Sequence, residues 1–240
     1  MNPEFNFEKR YRLVREIIET IVLTLLMFFV IRFAIQNFNV DGTSMEPNLH
    51  NTELIIVDKW TYLFHPPVRG DVIVFAAPPH PDMDYVKRVI GLPGDVITIR
   101  GTTVIVDGVT LSESYVDPQN QGNPFASKNI TNLVIPAGDY FVLGDNREVS
   151  SDSRDWGYVP VKNIVGRAAI VYWPLGQDNN GFLKNYTSVF ANVHQSTSTA
   201  LSHPGNSPGG LGLDADGFVL ILLPGLSLAF WRKREALVLP

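Results

Sequence analysis

The hydrophobic positions near the N-terminus form one continuous run rather than a periodic pattern. A short basic stretch comes first, and the chain then carries no charge over residues 20–31. The apolar stretch over residues 17–36 has about the 20 residues that a helix needs to cross a bilayer. The pattern therefore predicts a transmembrane helix over residues 17–36, preceded by a basic N-terminal segment over residues 1–16.

The distribution of positive charge indicates how this helix is oriented. Lysines and arginines cluster before the helix, and after Arg32 none follows until Lys59. The positive-inside rule then places residues 1–16 in the cytoplasm and the chain beyond the helix outside. A buried amphipathic helix is one alternative. A cleaved signal peptide is another, although no small-x-small cleavage site follows the apolar run.

Short β-branched runs replace the long apolar run from residue 37 onwards. Stretches such as "ELIIVDKW", "GDVIVFAAP" and "RAAIVYWP" are separated by Gly, Pro, Asp and Asn, which is typical of strands joined by tight turns. The stretch "IVDGVTL" adds an Asp-Gly pair between apolar residues, which favours a hairpin. We predict a mainly β fold, with an antiparallel, barrel-like domain over residues 37–195 behind the membrane helix.

The C-terminal part of the chain has a different composition again. Residues 196–217 are rich in Ser, Gly and Pro, which predicts a flexible linker. Residues 218–231 are apolar but short for a full span, and residues 232–240 form a tail that begins with three basic residues. A second membrane segment with its basic end in the cytoplasm is one interpretation. An interfacial helix and a tail without stable structure are the alternatives.

Composition and charge exclude several classes of function. The 240 residues carry a formal net charge of −5 with a pI near 5.5, which argues against nucleic acid as the main partner. The chain has no cysteine, so disulfides and thiolate chemistry are excluded. Its five histidines stand singly, so we expect no metal site, and we expect no cofactor either.

A serine and a lysine are the candidates for chemistry. Ser44 lies in the polar turn "VDGTSMEP", shortly after the predicted membrane helix. A serine nucleophile needs a base within hydrogen-bond reach, and no histidine stands in a suggestive context. Lys87 lies inside the apolar strand "YVKRVI", where burial would lower its pKa towards that of a useful base. An edge lysine whose amine reaches solvent is the alternative interpretation.

A polar loop, "GDNREVSSDSRDWG", follows a strand in the second half of the domain. Ser150 could orient the lysine amine, and Asp152 and Arg154 could form an ion pair that braces the site. The alternative is an Asx-turn with a structural salt bridge.

Four segments of the chain together resemble a known family. The segments "GTSMEP", "RGDVIVF", "YVKRVIGLPGD" and "GDNREVSSDSRDWG" have the order and approximate spacing of the boxes of type I signal peptidases, the membrane-bound bacterial leader peptidases. The resemblance covers roughly residues 17–175. It implies that Ser44 is the nucleophile, that Lys87 is the general base and that Ser150 hydrogen-bonds the lysine. The residues that match the structural part of the last box are Asp145, Arg147, Asp152 and Arg154.

The resemblance also implies how the transition state and the substrate are bound. The Ser44 backbone N–H would line the oxyanion hole, while Gly42 replaces a serine that supplies a second donor in some members. The family cleaves exported preproteins after small residues at −1 and −3, at the outer face of the bacterial plasma membrane. Exported preproteins and the lipid bilayer are therefore the expected partners. The positions that match the substrate pocket are Phe38, Val40, Met45, Asp84, Tyr85 and Val86.

Three other functions remain as alternatives on the sequence alone. One is a different Ser-Lys protease, such as a self-cleaving repressor or a plasmid-transfer peptidase, although no helix-turn-helix is visible. Another is an anchored β module that has lost activity, which predicts a broken dyad or loop. The last is a binding protein for an envelope polymer, which predicts exposed aromatic side chains in a stripe.

Overall fold

The computed structural model describes residues 3–122, 128–176, 178–194 and 236–237, with the backbone alone for residues 3–9 and 236–237. The predicted linker over residues 196–217 and the candidate second membrane segment over residues 218–231 lie outside these ranges. So does the predicted tail over residues 232–240, apart from Ala236–Leu237.

The chain begins with a long apolar helix, α1 (Pro3–Ala34), of 32 residues. Between Arg10 and Ala34 it is long and apolar enough to cross a membrane. An 18-residue stretch within these bounds has a mean hydropathy of 2.2, and none of that stretch is buried in the protein. An exposed apolar helix of this length matches the thickness of a bilayer core. The first strand begins directly after it, at Ile35.

The rest of the described chain is mostly strand. The strands are β1 (Ile35–Val40), β2 (Leu54–Asp58), β3 (Val72–Ala77), β4 (His80–Gly91), β5 (Val96–Arg100), β6 (Thr103–Val106), β7 (Val109–Thr110), β8 (Ile130–Val134), β9 (Asp139–Leu143), β10 (Val159–Pro160), β11 (Ile164–Trp173), β12 (Gly181–Phe182) and β13 (Ala236–Leu237). Two short helices, α2 (Thr61–Phe64) and α3 (Ser153–Trp156), and 3-10 turns at Pro118–Asn120, Val161–Asn163 and Thr187–Phe190 connect them.

These strands form two sheets. The larger sheet has the order β10-β9-β4-β3-β11-β2-β1-β13, with β12 paired to β11, and the smaller has the order β7-β6-β5-β8. Among the described strands, every pairing is antiparallel except that of β13 with β1. Because β13 also lies against β4, the larger sheet curves round on itself. The predicted mainly antiparallel β fold behind an apolar helix is confirmed.

Strand β4 is buried on both faces over its second half, from Asp84 to Gly91. Alternation along a strand sends successive side chains to opposite faces. Tyr85 and Val89 accordingly pack together in one apolar core, whereas Val86 packs in another. Lys87 belongs by this alternation to the Tyr85 face, opposite Ile73 of β3 in the register of the sheet.

Candidate active site

Ser44 lies in a tight turn directly after β1. The side chain of Asn51 accepts a hydrogen bond of 2.8 Å from the Gly42 backbone N–H, and the Glu46 N–H donates to the Thr43 carbonyl at 3.1 Å. Gly42 has a φ of 106°, which a residue with a side chain rarely adopts. The turn therefore requires glycine at this position, and it holds Ser44 in the interior, 1% exposed.

Lys87 reaches Ser44 from the neighbouring strand. Its Nζ lies 2.6 Å from Ser44 Oγ, and the lysine side chain is fully buried. Burial lowers the pKa of Lys87 from 10.5 to about 7, although Asp152 and Asp145 act to raise it. The amine can thus lose its proton near neutral pH, and a neutral amine can accept the Ser44 hydroxyl proton.

The polar loop after β9 approaches the same turn closely. The Asn146 N–H donates to the Ser44 carbonyl at 2.9 Å. At Gly144, an added Cβ would lie 2.1 Å from Ser150 Oγ and 2.6 Å from the Ser44 carbonyl oxygen. A side chain at this position would push the loop away from the turn, so Gly144 is required for the close approach.

Asp152 and Arg154 form the ion pair predicted from the loop. Asp152 accepts hydrogen bonds from Arg154 Nε and Nη2, both at 2.8 Å, and from the Gly144 N–H at 3.0 Å. Burial raises the pKa of Asp152, but the hydrogen bonds and charge of Arg154 outweigh it, and the net pKa is lowered. The Asp152 carboxylate is therefore charged and paired below the lysine.

Ser150 is buried beside these groups, but the structure shows no hydrogen bond between it and Lys87. Its Oγ has no hydrogen-bond partner of good geometry within the described chain. It nevertheless lies near enough to Asp152 to help lower the pKa of that carboxyl. A contact without hydrogen-bond alignment is weak. The role expected for Ser150 stays a prediction.

Asp145 and Arg147, the other two loop residues singled out by sequence, form separate buried ion pairs. Asp145 accepts from Arg88 Nε at 2.8 Å and Nη2 at 2.6 Å. Arg147 donates to the two oxygens of Glu113 at 2.6 and 2.9 Å. Sequence reasoning missed both partners. An arginine inside a strand buried on both faces was a usable signal for Arg88, since such a charge needs a buried acid.

The six residues expected around the substrate are all buried. The side chains of Phe38, Val40, Met45 and Val86 share one apolar core, Tyr85 lies in another, and Asp84 is 3% exposed. The Tyr85 ring lies 5.4 Å from Lys87 Nζ. Five of these residues lie on β1 and β4, and Met45 directly follows Ser44 in the turn.

The chain is similar in sequence to known proteins. The family model described as "Signal peptidase, peptidase S26" matches residues 14–173, which is about two thirds of the chain. The chain belongs to this family. Its general function is therefore that of a signal peptidase I, a serine protease.

Individual relatives carry the same name. The chain is 38% identical over 170 residues to signal peptidase I of Leptolyngbya laminosa, covering 67% of the chain and 80% of that protein. It is 41% identical over 153 residues to signal peptidase I of Bacillus caldolyticus, covering 60% and 83%. It is 36% identical over 182 residues to signal peptidase IB of Staphylococcus aureus strain Mu50, covering 71% and 94%. A crystal structure of a signal peptidase I from Enterococcus faecalis is 35% identical and covers 42% of the chain and 95% of its own, with a TM-score of 0.36.

The burial of Lys87 predicts a stability that depends on pH. Between pH 7 and 10.5 the unfolded chain holds a proton on Lys87 that the folded chain does not, so the free energy of unfolding rises with pH in this window. Lys87→Met removes the free-energy cost of burying the Lys87 amine, and it should stabilise the fold by about 1–3 kcal/mol at and below pH 7. The gain should disappear as the pH approaches 10.5.

Thermal unfolding in detergent at several pH values would measure this effect. Lys162→Met, at an exposed lysine, is the matched control and should change little at any pH. A gain from Lys87→Met that is the same at pH 7 and pH 10 would contradict the prediction.

The Arg88–Asp145 pair predicts a large loss of stability when one partner is removed. Arg88→Met would leave the fully buried Asp145 carboxylate without its cation, at a cost of about 3–5 kcal/mol. Arg167→Met is the control, because Arg167 is 41% exposed and its Nη1 lies 3.7 Å from Asp71; it should cost less than about 1 kcal/mol. Denaturant unfolding measures both losses in the free energy of unfolding. Equal losses for the two variants would show that the buried pair contributes no more to stability than the exposed one.

Proposed function

We propose that the chain removes signal peptides from exported preproteins, with Ser44 as the nucleophile and Lys87 as the general base. The observation that carries the proposal is the distance of 2.6 Å between Ser44 Oγ and Lys87 Nζ, with the lysine fully buried. A buried lysine lowers the stability of a fold. Its contact with a serine hydroxyl indicates that the lysine is there for catalysis, because strongly shifted pKa values cluster at functional sites.

The proposed reaction proceeds through an acyl-enzyme. Ser44 Oγ attacks the carbonyl carbon of the residue at −1, and its proton passes to Lys87 Nζ. The ammonium then donates that proton to the amine of the leaving mature protein as the peptide bond breaks. In the second half, Lys87 takes a proton from a water molecule, which attacks the ester carbonyl carbon. As the bond between this carbon and Ser44 Oγ breaks, the Lys87 ammonium returns a proton to Ser44 Oγ, and the signal peptide leaves with a new carboxylate.

The Ser44 backbone N–H is the proposed donor to the oxyanion, since it makes no hydrogen bond within the part of the chain that the structure describes. Gly42 offers no hydroxyl, and its N–H already donates to Asn51. A second donor would thus come from elsewhere than Gly42. One such donor is worth about 3 kcal/mol of transition-state stabilisation.

The proposed specificity is for small residues at −1 and −3, with the substrate bound as an extended strand. Main-chain hydrogen bonds to a strand edge give affinity that does not depend on the substrate's sequence. The pockets for its side chains determine which residues are accepted. The residues that would form the pocket walls are Phe38, Val40, Met45, Asp84, Tyr85 and Val86. Because their side chains are closely packed, only small substrate side chains would fit between them.

The proposed location is the outer face of the bacterial plasma membrane, with residues 1–16 in the cytoplasm. The α1 helix supplies the anchor, and an apolar groove adjoins its end. Phe33 lines this groove together with residues of α2 and its flanks, among which Leu63 and Phe64 are 73% and 81% exposed. An apolar surface beside a membrane helix fits the lipid interface, where the substrate's signal peptide also ends.

Cleavage of a preprotein with an Ala-x-Ala site, in detergent, tests the proposed function. Ser44→Ala and Lys87→Ala should each lower kcat/KM by at least about 10³-fold, while exposed Lys162→Ala should not. Lys87→Arg should also be inactive, because arginine does not lose its proton. Substantial cleavage by folded Lys87→Arg would remove Lys87 as the base, and an inert wild type would favour an anchored module without activity.

The lowered pKa of Lys87 predicts the pH profile of the same reaction. Only the neutral amine is a base, so log kcat/KM should fall with a slope of about one per pH unit below the Lys87 pKa of about 7. It should level off above that value, whereas a lysine in water would still be rising at pH 9. A flat profile from pH 5 to pH 9 would contradict the assignment.

A further inference from the structure

Strand β13 pairs with β1 and also contacts β4, and we call the space between β1 and β4 the cleft. The ladder between β4 and β9 begins at Arg88, which is paired with Leu143. The part of β4 that precedes Arg88 therefore extends beyond β9. Strand β1 pairs along one edge with β2 and along the other with β13.

The backbone of β13 lies in this cleft. It runs parallel to β1, with Ala236 opposite Asn39 and Leu237 opposite Val40, and it also lies against β4. It is the only parallel pairing among the described strands. Five of the six proposed substrate-binding residues lie on the two strands that β13 contacts. They are Phe38, Val40, Asp84, Tyr85 and Val86.

We propose that the edge of β1 is a docking site for an extended peptide and that the chain's own segment Ala236–Leu237 occupies it, in competition with the preprotein. The competition rests on the proposed function, but the docking does not. Strand addition works through main-chain hydrogen bonds, so it accepts any extended segment whose side chains can be accommodated. The sequence Ala-Leu-Val-Leu over residues 236–239 is uncharged and apolar, as such a strand requires.

The covalent connection makes this competitor effective. A segment tethered to its own site binds at an effective concentration that reaches the millimolar range for short flexible linkers and falls with linker length. Even a weakly binding segment can then occupy the cleft for much of the time. The preprotein's apparent KM rises in proportion, because only the fraction of molecules with an open cleft is competent to bind.

Docking on β1 has a consequence for membrane topology. Residues that pair with β1 lie on the same side of the membrane as Ser44. A single span over residues 218–231 would carry the basic tail to the opposite side, so that interpretation and the docking exclude each other.

A disulfide test measures the docking without any need for protease activity. The chain has no cysteine, so Asn39→Cys with Ala236→Cys gives one pair, at positions that face each other in the register. Adjacent strands place such Cα atoms within the range that a disulfide spans. The matched control is Thr110→Cys with Ala236→Cys, because Thr110 lies on β7 at the edge of the other sheet.

Both full-length pairs would be oxidised mildly in detergent and the bridged fraction followed by gel mobility. The Asn39 pair should close at least about tenfold faster than the control, because docking holds its thiols together while the control depends on chance encounters through the tether. Equal rates for the two pairs would overturn the docking.

Removal of residues 235–240 tests the competition. The shortened chain should cleave the Ala-x-Ala preprotein with a KM at least about threefold lower and an unchanged kcat. An unchanged KM would overturn the competition even where the disulfide forms. If neither chain cleaves, the proposed function fails, and the disulfide rates alone decide whether the segment docks on β1.

Discussion

The removal of the Lys87 amine from water is the constraint on which the site depends. Burial lowers its pKa to about 7, yet Asp152 and Asp145 both act to raise it. If these carboxylates were unpaired, their charge would hold the proton on the lysine. Each is instead hydrogen-bonded to an arginine, Arg154 and Arg88 respectively. The two ion pairs thus let negative charge lie near Lys87 without making it a permanent cation.

The order of the strands brings these groups together. Because β9 pairs with β4, the loop that follows β9 emerges beside Lys87. Gly144 lets that loop approach so closely that a single methyl group would collide with the Ser44 carbonyl. The Ser44 turn, the Lys87 strand and the loop therefore form one packed unit. A change in any of them alters the dielectric environment that sets the Lys87 pKa.

The fold class could be predicted from sequence because it depends on local patterns, whereas the pairing of Ser44 with Lys87 is expected from the resemblance of four segments to a known family. A long apolar run indicates a membrane helix, alternating short runs indicate strands, and a lysine inside an apolar strand indicates a perturbed amine. The pairing of Arg88 with Asp145 could not be read in this way, since 57 positions separate the partners. Ser150 shows another limit. Its burial beside the site follows from the loop, but the direction of its hydroxyl depends on atomic detail.

A protease that binds its substrate as a strand must keep a strand edge open. An open edge presents unpaired backbone groups, and any extended segment that comes near can satisfy them. Under the proposed function the edge of β1 cannot be covered permanently, because the preprotein would then be excluded. A short tethered segment such as Ala236–Leu237 meets both requirements, since its two residues pair with β1 but form few enough hydrogen bonds to be displaced. The pairing of Ala236–Leu237 with β1 is therefore compatible with the proposed cleavage of preproteins, provided that the substrate's longer strand binds this edge more tightly than Ala236–Leu237 does.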